Sequence, residues 1–322
     1  MEIPEFVYHR PATLAEACEL GRIYGDEARF LAGGTELLVD LKQKRHSAGH
    51  MISLRDIPDL GLISLEGESL RIGAMATLEE VAASDVVQRI FPTLCEAVLT
   101  IGSVQIRNQA TIGGNFCGAV PCADAPPICI AGEALLRITG VDGERTLPAE
   151  EFFIAPRASA LQPGELLVEI LIPLQPENSG ASYQRFSLRH GSSLAVASVA
   201  ARIILEKEEE EKEEEEEKEE EEKEEEKNKK DKKIADARVV LGAVAPTPLP
   251  TLDCMGLLAG QPPSEQLFQH AAKTAAAEAK PITDIRGSED LRRSLVEVLT
   301  FRALREAAAR AEGAERAGGV PV

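Results

Sequence analysis

A long charged segment limits which residues of this chain can build a hydrophobic core. Between Glu206 and Lys233 there are 18 acidic and 9 basic side chains and no apolar one. Glutamate and lysine favour helix, but this segment has no apolar face to pack, and its excess of negative charge repels itself. It is therefore predicted to be a solvated, partly helical insertion without chemistry of its own; a specific docking element is the alternative.

The residues on either side of this insertion predict two long strands. The stretches "AVASVAARIILE" and "IADARVVLGAVAP" would pair as a hairpin whose connection is the charged segment. The strand "ASYQRFSLR" precedes them, and helical patterns follow at residues 265–279 and 289–309. Strands followed by helices indicate an α+β domain, which is predicted to begin near residue 175.

Length and composition exclude several classes of protein. The 322 residues exceed the usual size of one hydrophobic core, so two or three domains are expected. No basic patch with interleaved aromatic residues is present, which argues against nucleic-acid binding. No apolar run could span a bilayer, and the N-terminus lacks a signal-peptide pattern. Six scattered cysteines do not form a disulfide framework, so a reducing cytoplasm is the expected location.

The first part of the chain mixes short helices and strands. An amphipathic helix is predicted at residues 13–24, and the buried strand "ARFLAG" follows it. A second helix is predicted from Glu36 to Lys44, with Thr35 as its N-cap. The stretch "HMISLRDI" predicts another strand.

Further along, "LGLISLEGESLRIGAM" predicts a β-hairpin that turns at residues 66–68. A helix is predicted at residues 85–101, interrupted or restarted at Pro92. The strands "EALLRIT", "GERTLPAEEFF" and "ELLVEILIP" complete this part of the chain. Before them lies "GSVQIRNQATIGGNFCGAVPCADAPP", which shows little periodicity and is predicted to be irregular. Long irregular segments within compact domains are usually functional.

Two glycine pairs indicate where the main chain approaches a ligand. Gly33 and Gly34 separate a strand from the helix that Thr35 is predicted to cap, and unpaired N–H groups at such a junction bind anions. The pattern is neither the GxGxxG dinucleotide fingerprint nor a P-loop, and a simple tight turn is the alternative. Gly113 and Gly114 are expected to repeat the arrangement with exposed main-chain amides.

Polar side chains flank the second glycine pair. Thr111 and Asn115 can hydrogen-bond to phosphate or ribitol oxygens, and Asp124 offers a carboxylate to ribityl or ribose hydroxyls. Two amide-rich turns on one domain could clamp a pyrophosphate from both sides. A dinucleotide is therefore the predicted ligand.

Three motifs in one order make the chain resemble a known family. They are "FLAGGTELL", "GSVQIRNQATIGGN" with "ADAPP" close behind it, and "PITDIRGSEDLRRSLVEVLTFRAL" near the C-terminus. The chain resembles the FAD-binding medium subunits of the molybdenum hydroxylases, among them xanthine dehydrogenase, carbon monoxide dehydrogenase and 4-hydroxybenzoyl-CoA reductase. The resemblance runs from Ile3 to Arg310 and is broken only by the charged insertion.

The resemblance implies which residues contact FAD. In that family the segment matching residues 30–37 wraps the pyrophosphate with main-chain amides, and residues matching the second glycine pair hold the same phosphates. Asp124 matches a carboxylate at the ribityl and phosphate region, Ile101 and Leu167 match apolar positions along the flavin, and Arg185 stands where many relatives place a lysine. The implied cofactor-binding residues are Phe30, Leu31, Ala32, Gly33, Gly34, Thr35, Glu36, Leu37, Ile101, Ala110, Thr111, Gly113, Gly114, Asn115, Asp124, Leu167 and Arg185.

The resemblance also implies an α+β architecture in two domains. Residues 1–174 would form a two-lobed FAD-binding domain of the vanillyl-alcohol-oxidase/PCMH type, with lobes at about 1–57 and 58–174. Residues 175–312 would form an α+β domain of the CO-dehydrogenase flavoprotein type, an antiparallel sheet with helices, which carries the insertion at 206–233. Residues 313–322 would be a disordered tail.

Three cysteines in the segment after the second glycine pair raise the question of an iron–sulfur cluster. The spacings of Cys117, Cys122 and Cys129 do not match a common ferredoxin pattern, and a fourth ligand would have to come from a distant residue such as Cys95. The medium subunit of 4-hydroxybenzoyl-CoA reductase carries a cysteine-bearing insertion at this point, which this chain lacks. Buried thiols without a metal are therefore expected.

The function implied by the resemblance is electron transfer. FAD would carry the chemistry, with no catalytic side chain, and would pass electrons between the [2Fe–2S] clusters of a small subunit and an external acceptor. A large subunit would hold molybdopterin, in a dimer of heterotrimers. The alternatives are a self-sufficient FAD oxidoreductase with the same flavin fold, a 4-hydroxybenzoyl-CoA reductase-like medium subunit, and a nucleotide-binding regulatory or scaffold module.

Overall fold

The computed structural model describes residues 3–189, 191–206 and 232–313 of the chain. Almost all of the charged insertion and of the predicted C-terminal tail lies outside these residues, so the conformations predicted for them stay predictions. Among the described residues, no helix combines the length and the apolarity needed to cross a membrane.

The chain begins with a small lobe built on a three-stranded parallel sheet. Its strands and helices are β1 (Val7–His9), α1 (Leu14–Tyr24), β2 (Ala28–Leu31), α2 (Leu37–Lys42) and β3 (His50–Ser53). The strand order is β1-β3-β2, so β2 lies at an edge of the sheet. The first glycine pair follows its carboxyl end after one residue. Thr13 caps α1, because its Oγ1 accepts a hydrogen bond from the Glu16 N–H at 3.2 Å.

The second lobe packs short helices against a five-stranded antiparallel sheet. Its strands are β4 (Ile63–Glu66), β5 (Ser69–Gly73), β6 (Leu135–Gly140), β7 (Gly143–Pro148) and β10 (Leu166–Pro173), with a small hairpin of β8 (Phe153–Ala155) and β9 (Ala158–Ser159). The sheet order is β4-β5-β10-β6-β7. The predicted turn at residues 66–68 is confirmed, because β4 and β5 pair from Ile63 opposite Ile72 to Glu66 opposite Ser69.

Six helices cover this sheet, three of them in the segment that was expected to be irregular. They are α3 (Leu78–Ala83), α4 (Asp85–Ile90), α5 (Pro92–Leu99), α6 (Val104–Arg107), α7 (Ile112–Cys117) and α8 (Ala125–Ala131). The restart at Pro92 is confirmed, since proline opens α5. The expectation of an irregular segment is wrong because Ser103 and Thr111 cap α6 and α7, and two prolines lie in the first turn of α8.

The C-terminal part of the chain is the predicted arrangement of strands followed by helices. Its elements are β11 (Ser179–Ser187), β12 (Ala195–Leu205), β13 (Ile234–Gly242), β14 (Leu249–Pro250), α9 (Leu252–Leu258), α10 (Glu265–Glu278) and α11 (Glu289–Ala311). The four strands form an antiparallel sheet in chain order. The predicted hairpin of β12 and β13 is confirmed, and the Glu206 N–H donates to the Lys233 carbonyl at 2.8 Å where the insertion begins and ends.

The C-terminal sheet packs directly against the second lobe. Tyr183, Ala200 and Val240 belong to the same buried cluster as the helices α5 and α8. From α11, Arg310 donates to the Ala181 carbonyl at 2.6 Å and pairs with Glu96 of α5 at 3.0 Å. The first residues of β11 are thereby held against α5, and Tyr183 further along the strand reaches Asp124, the residue directly before α8.

Candidate cofactor site

The first glycine pair lies where two stretches of main chain touch. A Cβ atom on Gly33 would lie 1.8 Å from the carbonyl oxygen of Gln109 and 3.0 Å from the Cα of Ala110. No side chain fits between main-chain atoms at such distances, so glycine is required there. The structure therefore joins the two glycine segments at Gly33, and the close approach is one of main chain to main chain.

The segment after this contact presents a run of unpaired amides. Among the residues that the structure describes, none accepts a hydrogen bond from the N–H groups of residues 33–37. Leu38 is the first residue whose N–H is paired, to the Gly34 carbonyl at 3.1 Å. The five residues are half-buried, and main-chain N–H groups that lack a partner favour an oxyanion as ligand.

The predicted cap of the following helix is wrong. Helix α2 begins at Leu37, and the residue before it, Glu36, has helical dihedral angles and makes no side-chain cap. The carboxylate of Glu36 pairs instead with Arg157 at 3.0 Å, so it turns away from the helix end. Thr35 consequently lies in the turn, with its hydroxyl not used to start α2.

The main-chain N–H groups of the second glycine segment are already hydrogen-bonded within the protein, contrary to expectation. The N–H groups of Ile112 and Gly113 donate to the carbonyls of Ala76 and Ala74, each at 2.9 Å. The Gly114 N–H donates to Thr111 Oγ1 at 3.0 Å. The prediction of exposed amides at Gly113 and Gly114 is wrong because α7 docks on the end of β5 and is capped by Thr111. A clamp of two amide-rich turns is therefore not formed.

What the second segment offers to a ligand is a side chain. Asn115 carries a buried side-chain oxygen, Oδ1, for which the described residues provide no hydrogen-bond partner. A buried amide oxygen without a partner costs free energy unless a water or a ligand completes it. Gly114 beside it is exposed, and a Cβ atom there would meet only Thr111 Oγ1, at 3.0 Å. Thus Asn115 and the open side of Gly114 remain available to a cofactor.

The two threonines give a direct test of these assignments. We expect Thr111→Val to lower the free energy of unfolding of the apoprotein by about 1 kcal/mol, because the Gly114 N–H loses its acceptor. Thr35→Val is the matched control and should leave that free energy unchanged within about 0.5 kcal/mol. Urea titrations followed by far-ultraviolet circular dichroism measure both; equal losses would contradict the assignment of Thr111 as the cap.

A cluster of charged side chains lies beside the unpaired amides of residues 33–37. Arg157 bridges Glu36 at 3.0 Å and Asp40 at 2.7 Å. Burial raises the pKa of Glu36, while the guanidinium of Arg157 opposes that shift. Glu36 also faces the end of α7, the helix that contains the second glycine pair, since a Cβ atom on Gly118 would lie 2.8 Å from its Oε2. The cluster therefore fixes the position of the first segment relative to the second.

Asp124 lies at the junction of the second lobe and the C-terminal sheet. Its Oδ1 accepts hydrogen bonds from the Tyr183 hydroxyl at 2.6 Å and from Arg185 Nε at 2.8 Å. The side chains of Asp124 and Arg185 are only 7% and 9% exposed. Burial raises the pKa of Asp124, and Arg185 and Tyr183 act against that shift. Arg185 also donates to Ser187 Oγ at 3.2 Å and to the Ser193 carbonyl.

The other predicted residues differ in how they reach the site. Leu167 is buried in the core of the second lobe, and Ile101 and Ala110 are half-buried residues that pack against that core. Phe30 and Leu31 end strand β2 and lead into the amide run through Ala32. The loops that carry Ile101 and Arg185 are neighbours, because the Ser192 N–H donates to the Gly102 carbonyl at 2.9 Å. Their contact with a flavin stays a prediction.

The cysteines of the segment lie apart from any group of metal ligands. Within the described residues, no three His, Cys, Asp or Glu side chains come together in a way that could hold a metal ion. Burial raises the pKa of Cys117 to about 12 and raises that of Cys129 further. Without a metal, both thiols therefore stay protonated at neutral pH.

Sequence reasoning missed three residues of the site. Gln109 contributes through its carbonyl, and Arg157 comes from a distant hairpin, so no sequence signal marks either. Tyr183 could have been found, because residues two apart on a strand share a face and Arg185 was already a candidate.

Sequence comparisons relate this chain to known flavoprotein subunits. Residues 4–175 match the sequence profile of the FAD binding domain in molybdopterin dehydrogenase, and residues 224–307 match that of the CO dehydrogenase flavoprotein C-terminal domain. The carbon monoxide dehydrogenase medium chain of Hydrogenophaga pseudoflava is 31% identical over 307 residues, which are 95% of this chain and 98% of that one. The xanthine dehydrogenase FAD-binding subunit of Escherichia coli O157:H7 is 28% identical over 95% and 97% of the two chains.

Solved structures give the same result. A carbon monoxide dehydrogenase from Hydrogenophaga pseudoflava, which lacks the Mo-pyranopterin moiety of its cofactor, superposes with a TM-score of 0.86, at 31% identity and over 96% of this chain and 99% of that one. Quinoline 2-oxidoreductase from Pseudomonas putida 86 gives 0.84 at 26% identity, over 97% and 99%. These matches confirm the resemblance and the fold that it implied. The chain belongs to the FAD-binding subunits of the molybdopterin-dependent dehydrogenases, a family of oxidoreductase flavoproteins.

Proposed function

We propose that this chain is the electron-transferring medium subunit of a molybdenum-containing hydroxylase or dehydrogenase. FAD bound to it would pass electrons between [2Fe–2S] clusters of a partner subunit and an external acceptor. The similarity to the carbon monoxide and xanthine dehydrogenase subunits extends over nearly the full length of each relative, which supports the same role here.

The observation that carries the proposal is the run of five unpaired amides at residues 33–37. A pyrophosphate has oxyanions on two neighbouring phosphorus atoms, so several adjacent N–H donors suit it better than they suit a neutral ligand. The segment lies against the second glycine segment at Gly33, and Asn115 adds a buried oxygen without a partner. The residues present therefore fit a dinucleotide such as FAD.

When bound, FAD supplies the chemistry of accepting and releasing electrons. The chain's own residues would bind and orient it. The amides of residues 33–37 would hold the pyrophosphate, and Asn115 would hydrogen-bond to a neighbouring polar group. Asp124 would accept from a ribityl hydroxyl through Oδ2, for which the described residues provide no partner. Arg185, fixed by Asp124, would keep a positive charge close to the isoalloxazine.

We also propose the assembly implied by the resemblance. A large subunit would bind molybdopterin, a small subunit would carry the [2Fe–2S] clusters, and two such heterotrimers would form a dimer. The large subunit would select the substrate. A cytoplasmic location is part of the proposal, and the six free thiols support it because a reducing compartment keeps cysteines in this state.

The absorption spectrum of the purified chain tests the proposal. We expect flavin bands, with FAD identified by chromatography at about one per chain. Purification from the native host should bring down partners that contain molybdenum and iron. A colourless protein that cannot be reconstituted with FAD would overturn the cofactor assignment, and FAD without such partners would favour a self-sufficient oxidoreductase.

A further inference from the structure

The two oxygens of the Asp124 carboxyl group differ in their hydrogen bonds. Both of its protein donors, the Tyr183 hydroxyl at 2.6 Å and Arg185 Nε at 2.8 Å, bond to the same oxygen, Oδ1. In the part of the chain that the structure describes, Oδ2 accepts no hydrogen bond, and it does not belong to the buried polar atoms left without a partner. Oδ2 therefore keeps access to the surface of the site, while Oδ1 is held inside the protein.

Toward Asp124, Tyr183 can act only as a donor. Its ring is 8% exposed, and burial together with the neighbouring carboxylate raises the pKa of the phenol well above 10. The hydroxyl of Ser198, on the paired strand β12, hydrogen-bonds to the Tyr183 oxygen. The phenolic proton is thereby directed at Asp124, and Oδ1 is left without the free lone pairs that a proton or a second ligand would need.

We propose that Tyr183, although it comes from the C-terminal sheet, is a positioning residue for the cofactor: together with Arg185 it fixes Oδ1 so that Oδ2 is the carboxylate oxygen presented to a hydroxyl group of the ligand. The inference rests on the proposed FAD function, in which the ribityl chain supplies such hydroxyls. It assigns to the C-terminal sheet a part in cofactor affinity through a residue that need not touch the cofactor.

The physical reason is the freedom of the carboxylate to rotate. With two donors on Oδ1, the carboxylate has a single orientation before the ligand arrives, and binding does not have to select it. Without the phenolic hydroxyl, Arg185 alone holds Asp124, and the carboxylate can turn Oδ2 toward the guanidinium in a bidentate pair. An Oδ2 engaged in this way no longer accepts from the ligand.

The test is a double-mutant cycle on the full chain. Apoproteins of wild type, Tyr183→Phe, Asp124→Asn and the double variant are titrated with FAD. Tyr24→Phe serves as a control, because its half-buried ring ends α1 and stacks on His50. We expect Tyr183→Phe to raise the Kd for FAD about tenfold, the size of one lost hydrogen bond to a charged group. In Asp124→Asn the two donors on Oδ1 point Nδ2 at the ligand, so no acceptor is left to position, and adding Tyr183→Phe should cost nothing more.

A spectroscopic readout separates positioning from stability. The visible circular dichroism of the bound flavin should differ between wild type and Tyr183→Phe at full occupancy, while the far-ultraviolet spectra stay equal. An unchanged Kd, or the same loss of affinity in the wild-type and Asp124→Asn backgrounds, would overturn the inference while wild-type FAD binding stands. Failure of the wild-type chain to bind FAD would instead overturn the proposed function.

Discussion

Gly33→Val is expected to yield a chain that retains no FAD and unfolds at a lower denaturant concentration than wild type. A Cβ atom at this position would lie 1.8 Å from the carbonyl oxygen of Gln109. This oxygen and the nearby Cα of Ala110 are main-chain atoms, which cannot move aside as a side chain would. The two glycine segments must therefore separate. Overpacking of this kind costs about 1–3 kcal/mol or more, and here it also displaces the amide run from Asn115.

Two further glycines make the experiment specific. Gly256 lies in α9 with no neighbour within 4 Å of an added Cβ, so Gly256→Ala should keep both FAD and stability. Gly114→Val tests the ligand side, because its Cβ would meet only Thr111 Oγ1 and otherwise point into the open site. We expect that variant to fold and yet to lose FAD. FAD content and urea midpoints give the answer; a Gly33→Val protein with both at the wild-type level would contradict the observed contact.

Arg185→Met is expected to destabilise the apoprotein by about 3–5 kcal/mol at neutral pH, since it leaves a buried carboxylate without its countercharge. Asp124 is 7% exposed, and only the Tyr183 hydroxyl would still compensate it. The cost should fall when the partner charge is removed as well, so the double variant Arg185→Met/Asp124→Asn should recover most of the lost stability.

The loss should also depend on pH in a definite direction. Burial raises the pKa of Asp124, and removing Arg185 raises it further, above the ordinary value near 3.8. An acid whose pKa is higher in the folded state contributes most stability below its unfolded pKa, and this contribution is lost as the pH rises through the folded value. The deficit of Arg185→Met relative to wild type should therefore be smallest at acid pH and grow toward neutrality.

Denaturant titrations of both variants at several pH values check this prediction. The double variant, which has no carboxylate at position 124, should show a deficit that does not change with pH. A deficit of Arg185→Met that is equally independent of pH would show that the guanidinium acts through packing and not through its charge.

The elements with a regular local pattern could be predicted from the sequence. The hairpin of β4 and β5 was predicted from alternation around Gly67, and the strands flanking the insertion from their β-branched residues. Thr13 and Thr111 act as caps because the hydroxyl of each accepts a hydrogen bond from the main-chain N–H three residues further along. Thr35 has the same local context but does not cap, since α2 begins only at Leu37 and the intervening Glu36 pairs with Arg157, more than a hundred residues away.

The site was harder to predict than the fold because its geometry depends on distant contacts. Gly113 was expected to expose its amide to the cofactor, yet that amide donates to the Ala74 carbonyl, and no pattern in the neighbouring sequence indicates that bond. The amide run at residues 33–37 was expected and is present. The donors to Asp124 come from a strand some sixty residues downstream, so only the packing of the two sheets brings them together.

The hydrogen bond between Glu206 and Lys233 closes the β12–β13 ladder, so the length of the connection beyond it can vary with little effect on the rest of the fold. Once that rung of the ladder is formed, the core on its inner side is the same for a short turn and for a long one. The entropic cost of closing a loop grows by only about 0.6 kcal/mol for each doubling of its length, so insertions or deletions in this connection are expected to change the free energy of unfolding little. The tip of this hairpin is thus a natural place for a genetic fusion, such as a fluorescent reporter that leaves both termini untouched.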